Sequence, residues 1–157
     1  MAARAPESLY EEDFYAWTQV QARALRRLAD SRPNLPLDLA HLTEELRDLG
    51  KEQRNVLRSW TTRIIEHLLL LQYSSAPEPR RGWIGEIVDF RSEIEGRLTP
   101  TLRRDLQRQL PVLYYQRARR NLLRKLAAHG EPETPELPET CPFTLDQLLG
   151  DWWPAKH

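Results

Sequence analysis

The chain of 157 residues has a single cysteine, Cys141. No internal disulfide framework can form, which fits a reducing compartment. There are only six glycines, few β-branched residues, and no run in which apolar and polar positions alternate, so strands have little to be built from. Long apolar runs are missing as well. The most apolar stretch, Ile64 to Leu71, carries Glu66 and His67 and falls far short of the roughly 20 residues a spanning helix needs. The N-terminus lacks the charged-then-apolar pattern of a secretory leader. A cytoplasmic protein with no membrane segment is expected. An excess of one charge is absent too: 23 basic residues face 23 acidic ones, so no bulk attraction to nucleic acid or anionic lipid is implied. No phosphate-cradling glycine loop, G-x-S-x-G or C-x-x-C pattern occurs.

What is abundant is Leu, Ala, Arg, Glu and Gln, the good helix formers. A chain of this length buries roughly 70% of the surface it exposes when unfolded, enough for one domain, 1–157, without staples. Ser8 and Glu11 form an S-x-x-E capping box for a first helix, with Tyr10, Phe14, Trp17, Ala24 and Leu28 on one face. Two prolines, Pro33 and Pro36, end it. Asp38 caps a second helix, whose stripe reads Leu42, Leu46, Leu49, Gln53, Val56, Trp60, Ile64, His67, Leu71. The three-and-four steps keep phase across Gly50, so one long helix over 38–73 is expected, kinked at most; a break into two is the alternative. A proline-bearing loop over 74–82 follows. The third helix carries Trp83, Ile87, Phe90, Ile94 and Leu98 on one face, and Thr99-Pro100 starts a fourth as N-cap and first helical residue. Pro111 predicts a kink or short break within that fourth helix, and His129-Gly130 its end. Residues 131–140 form a Pro/Glu-rich connector. A short helix over 145–149 and the aromatic tail with Trp152 and Trp153 then dock on the bundle of residues 8–130. The expected fold is all-α: an antiparallel bundle of four main helices with a short C-terminal helix and aromatic tail packed on it.

Several motifs resemble a known bacterial family, domain of unknown function family 29. They are Tyr10-Glu11-Glu12-Asp13-Phe14 with Trp17, Leu42-Thr43-Glu44-Glu45-Leu46, His67-Leu68-Leu69, Gln72-Tyr73, Trp83, Arg91, Thr101-Leu102-Arg103, Cys141-Pro142-Phe143 and Trp153-Pro154. They span about 8–154 in order. Leu70 departs from the pattern, which resembles the family more closely with lysine there. The resemblance implies a compact helical fold and no assigned activity.

Candidate site residues are few. His67, inside an apolar stripe, must find a hydrogen-bond partner. Arg91 sits at the edge of the third helix's apolar face. Glu44 and Glu45, with His41 one turn back and Asp38 two, could make half of a metal site, although no Glu-x-x-His occurs. On a straight helix they lie about 30 Å from His67. The plain reading of these four residues, Glu44, Glu45, His67 and Arg91, is a capped, solvated face, a satisfied core histidine and a boundary arginine. Cys141 reads as a small buried hydrophobe. No cofactor and no metal ligand set is predicted.

The strongest positive feature is basic. Residues 101–128 hold eight basic side chains against one acid, Asp105, and Arg117, Arg120 and Arg124 form a single stripe at i, i+3, i+7. Pairing of this stripe with acidic helices or with the acidic tail (Glu131, Glu133, Glu136, Glu139) is the default expectation. Nucleic acid and an acidic protein are the alternative partners. The function these observations point to is a non-enzymatic interaction or scaffold module, with a homodimer possible. Nucleic-acid binding through the fourth helix and a metal-dependent enzyme built on Glu and His groups are the alternatives.

Overall fold

The computed structural model describes residues 6–74, 79–130 and 135–155. It is all-α, with no strand among the described residues. The elements are α1 (Pro6–Glu12), α2 (Phe14–Ser31), α3 (Leu39–Tyr73), α4 (Arg80–Glu95), α5 (Pro100–Gln109), a π-turn (Leu110–Tyr114), α6 (Tyr115–Ala128) and α7 (Leu145–Leu149). Two compact units divide the chain inside α3 and α5: residues 1–56 with 99–104, and residues 57–98 with 105–157.

In the first unit the expected first helix is two. It starts at Pro6, before Ser8, and stops at Glu12. Asp13 then leaves helical geometry to cap α2, its Oδ1 accepting the Ala16 N–H at 2.9 Å while Oδ2 accepts the Thr101 N–H at 2.7 Å. Burial pushes the Asp13 carboxyl upward, and the Ala16, Thr101 and Thr99 bonds outweigh it, leaving the pKa below its ordinary value. Tyr10, Phe14 and Trp17 do share a face. They pack on one another, Tyr10 edge-on to both rings and Phe14 stacked on Trp17 at 5.6 Å, whereas the fully buried positions of α2 are Thr18 and Ala22.

The long helix α3 runs unbroken through Gly50. Its glycine serves a close approach: a Cβ there would meet Gln19 Nε2 at 2.6 Å and Thr18 Oγ1 at 2.7 Å. The face turned inward at this end is Leu39, Thr43 and Gly50, one position on from the expected stripe, so Leu42 and Leu49 stand 45% and 46% exposed.

The second unit holds the larger core. Ile64, Ile65, Leu68 and Leu69 of α3 are fully buried beside Ile87 and Ile94 of α4 and Tyr115, Ala118 and Leu122 of α6. Of the expected loop over 74–82, positions 75–78, with Pro77, lie outside the described residues, and α4 is already helical at Arg80. Thr99 caps α5 through the Leu102 N–H, as read from Thr-Pro. Pro111, which has no N–H to donate, is absorbed by the π-turn. Gly130 closes α6 at φ +65. In the connector, Glu131 and Glu133 lie outside the described residues, yet its end is strapped down: Leu137 is buried, Tyr115 donates to the Pro138 carbonyl at 2.6 Å, and Gln116 to that of Glu139 at 2.8 Å. Thr144 and Gln147 form a capping box for α7.

Candidate functional site

Within the second unit, α3, α4 and α6 border a cleft of about 410 Å³. Its apolar wall comes from Leu70, Trp83, Leu122 and Leu126; Arg63, Glu66, His67, Lys125 and His129 supply the polar groups. Glu66 is only 2% exposed. A carboxylate that deep must be compensated. It accepts from Asn121 Nδ2 at 3.2 Å, from Arg63 at 3.3 Å and from Lys125 Nζ at 2.5 Å. His67 Nε2 lies 2.7 Å from Glu86 Oε2, and Arg63 also reaches Glu86 at 3.4 Å. Burial drives the His67 pKa below its ordinary value against the pull of Glu86. The imidazole is therefore neutral near pH 7, with the Nε2 proton donated to Glu86. That hydrogen bond in turn holds the Glu86 carboxyl below its usual range. His67 Nδ1 is buried and has no hydrogen-bond partner among the described residues. Two carboxylates and two cations thus balance around a neutral histidine, the charge pattern of a network that ties three helices together.

The other sequence candidates lie elsewhere. Arg91, also in the second unit, donates to the carbonyls of Leu148 (2.8 Å), Gln147 (2.9 Å) and Trp152 (2.8 Å), and its guanidinium lies 4.6 Å from the Trp153 ring centre. It clasps the C-terminal segment, meeting the open carbonyls at the end of α7. Glu44 and Glu45 are exposed in the first unit. Asp38 and His41 make a helix-start pair, His41 Nδ1 2.5 Å from Asp38 Oδ2 with the His41 N–H on Oδ1, and the hydrogen bond the imidazole donates to Asp38 raises the His41 pKa. Among the described residues no group of three or more His, Cys, Asp and Glu could hold a metal ion, so the metal-enzyme alternative has no ligand set there. Arg117, Arg120 and Arg124 are all exposed on α6. Among the described residues none has an ion-pair partner, and the tail acids Glu131 and Glu133 lie outside those residues. Glu136 and Glu139, the described acids of the tail, do not pair with them. At the start of the same segment Val112 and Leu113 stand 72% and 37% exposed.

A family described as domain of unknown function DUF29 matches residues 9–153. The chain belongs to the DUF29 family. The fold is shared with a solved structure: an alpha-helical protein of unknown function from Rhodospirillum rubrum is 26% identical, with a TM-score of 0.75 over 90% of this chain and 89% of that one. No curated protein matches the chain. The all-α expectation and the family resemblance both hold, and neither comparison names an activity. No helix among the described residues is long and apolar enough to cross a membrane.

Glu66, Glu86, Asn121 and Lys125 of this DUF29 protein were not candidates from the sequence. One signal was present: a glutamate inside the apolar run Ile64–Leu71 must be either a surface break or a buried carboxylate with partners. Two of those partners, Asn121 and Lys125, come from 55 and 59 residues away, and Glu86 lies 19 residues from His67, beyond the reach of local pattern.

Proposed function

We propose that this DUF29 chain is a non-enzymatic interaction module of the bacterial cytoplasm, whose contact element is the outward arginine row of α6. One observation carries the reading: Arg117, Arg120 and Arg124 project from one helical face with no ion-pair partner among the described residues. Exposed arginines without partners are available to a carboxylate-bearing surface, and Arg is enriched where protein partners meet. Val112 and Leu113, exposed at the head of the row, favour a protein partner, since an apolar end has nothing to meet on a phosphate backbone. The lone Cys141, its thiol pKa raised by burial, and the bacterial origin of the similar solved structure support the compartment and source.

The test is binding to fluorescein-labelled poly-L-glutamate by anisotropy at low salt. Saturable binding is expected for the native chain, and its loss when Arg117, Arg120 and Arg124 are together replaced by Gln. A flat titration of the folded native chain removes this reading. The same unpaired row supports a second reading, contact with nucleic-acid phosphates. It predicts that log affinity for a single-stranded oligonucleotide falls against log salt with a slope of about −2, as three phosphate contacts require.

A further inference from the structure

A second row of like charge lies on the first unit. Glu45, Asp48 and Glu52 occupy i, i+3 and i+7 of α3, the same spacing as Arg117, Arg120 and Arg124 on α6. Each row is about 10 Å long, seven residues at the helical rise. All three acids are exposed. Asp48 has only Lys51, at 2.8 Å with both side chains open to water; Glu45 and Glu52 have no ion-pair partner among the described residues. Flanking the acids are Leu42 and Leu49, the two leucines turned outward on α3, just as the exposed Leu113, in the π-turn that leads into α6, stands four residues before Arg117. The two surfaces are complementary in sign, spacing and apolar flank.

We infer that the partner of the arginine row is a second copy of this chain, the α6 row of one protomer lying along the Glu45–Asp48–Glu52 row of α3 in the other. The inference rests on the interaction reading above and names its partner. Each such contact joins unlike surfaces and leaves one row of each copy open. The assembly therefore either closes with both rows engaged or grows as a chain. Exposed ion pairs are individually weak and are screened beyond about 8 Å at physiological salt. The association is accordingly modest, concentration-dependent and favoured at low ionic strength, with the four outward apolar side chains adding contact that salt does not remove.

Sedimentation velocity over a concentration series tests it, with two reversed chains. In one, Arg117→Glu, Arg120→Glu and Arg124→Glu are combined; in the other, Glu45→Arg, Asp48→Arg and Glu52→Arg. All six positions are exposed, and unchanged helical circular dichroism verifies folding. The native chain is expected to associate, and each reversed chain alone to associate at least about tenfold more weakly. An equimolar mixture of the two is expected to associate again, because each reversed row then faces its opposite. A native chain monomeric at every concentration and low salt overturns the inference, as does association that either reversal leaves untouched or a mixture that stays monomeric. If poly-L-glutamate still binds a strictly monomeric native chain, the arginine row meets another acidic partner, and only the second-copy assignment falls.

Discussion

A carboxylate 2% exposed, as Glu66 is, is tolerated in a core only while its donors stay in place. Arg63, Asn121 and Lys125 come from two helices, so removal of the carboxylate frees donors on both. Glu66→Ala is expected to cost about 2–4 kcal/mol of unfolding free energy, the lower part of that range reflecting the water that reaches Lys125 and Arg63. Urea denaturation measures it, and a loss below about 0.5 kcal/mol, the size of an exposed pair, would show that the network contributes little. Arg91 is a second residue whose geometry sets its effect. Its planar fork spans three carbonyls and stacks on Trp153, which a lysine ammonium cannot reproduce. Arg91→Lys should lose most of what Arg91→Ala loses, about 2–3 kcal/mol. Limited proteolysis should then cut first within residues 135–155, the segment whose end Arg91 holds.

At the scale of the helix, two glycines make opposite cases. A Cβ at Gly50 would enter the space of Thr18 Oγ1 and Gln19 Nε2. Gln19 can swing aside, but the Thr18 hydroxyl is tied to the Tyr15 carbonyl at 2.7 Å. Gly50→Ala should therefore lose about 1–2 kcal/mol despite the gain in helix propensity. Gly85, inside α4, has nothing within 4 Å of its Cβ position, and Gly85→Ala should gain about 0.5–1 kcal/mol. Urea midpoints of the two variants read both signs at once. Helices were legible for the same reason that these glycines differ. Periodicity in threes and fours survives any single residue, so the span of α3 and its continuity through Gly50 could be read directly, as could the Thr99-Pro100 start. Which of two adjacent positions turns inward could not. A 3.6-residue turn and a 3.5-residue leucine stripe drift apart, and Leu42 and Leu49 ended outside while Thr43 and Gly50 went in. Asp13 escaped for another reason: an acid within an acidic stretch reads as solvated unless its partner, the Thr101 amide 88 residues on, is known. Of the site candidates, His67 was legible as a polar group in an apolar stripe, and the arginine row as a pattern; Glu86, the carboxylate that holds His67, was not, because it is brought there by the packing of α4 on α3.

For the molecule as a whole, 23 acids balance 23 bases, and acidification acts on that balance through a few groups with known direction. His67 is held below its ordinary value of 6.5 by burial. The unfolded chain then takes up a proton that the folded chain refuses, so the stability His67 allows is complete above pH 6.5 and declines below it. Glu86 and Asp13 are held below 4.5 and 3.8. Their contributions are complete above those values and are lost as pH falls through the lower folded ones, where protonation of the remaining carboxylates also leaves the cations to repel one another. His41 runs the other way, its pKa raised beside Asp38, and favours the folded state below 6.5; being fully exposed, it offsets little. The urea midpoint should therefore be level from neutral to mildly alkaline pH, decline below 6.5 and fall more steeply below 4.5. In His67→Gln the first decline should be absent and the second retained, since Gln can still donate to Glu86 but cannot take up a proton. A native midpoint level down to pH 5, or a first decline that persists in His67→Gln, would show that the buried histidine is not what couples folding to protons in this range.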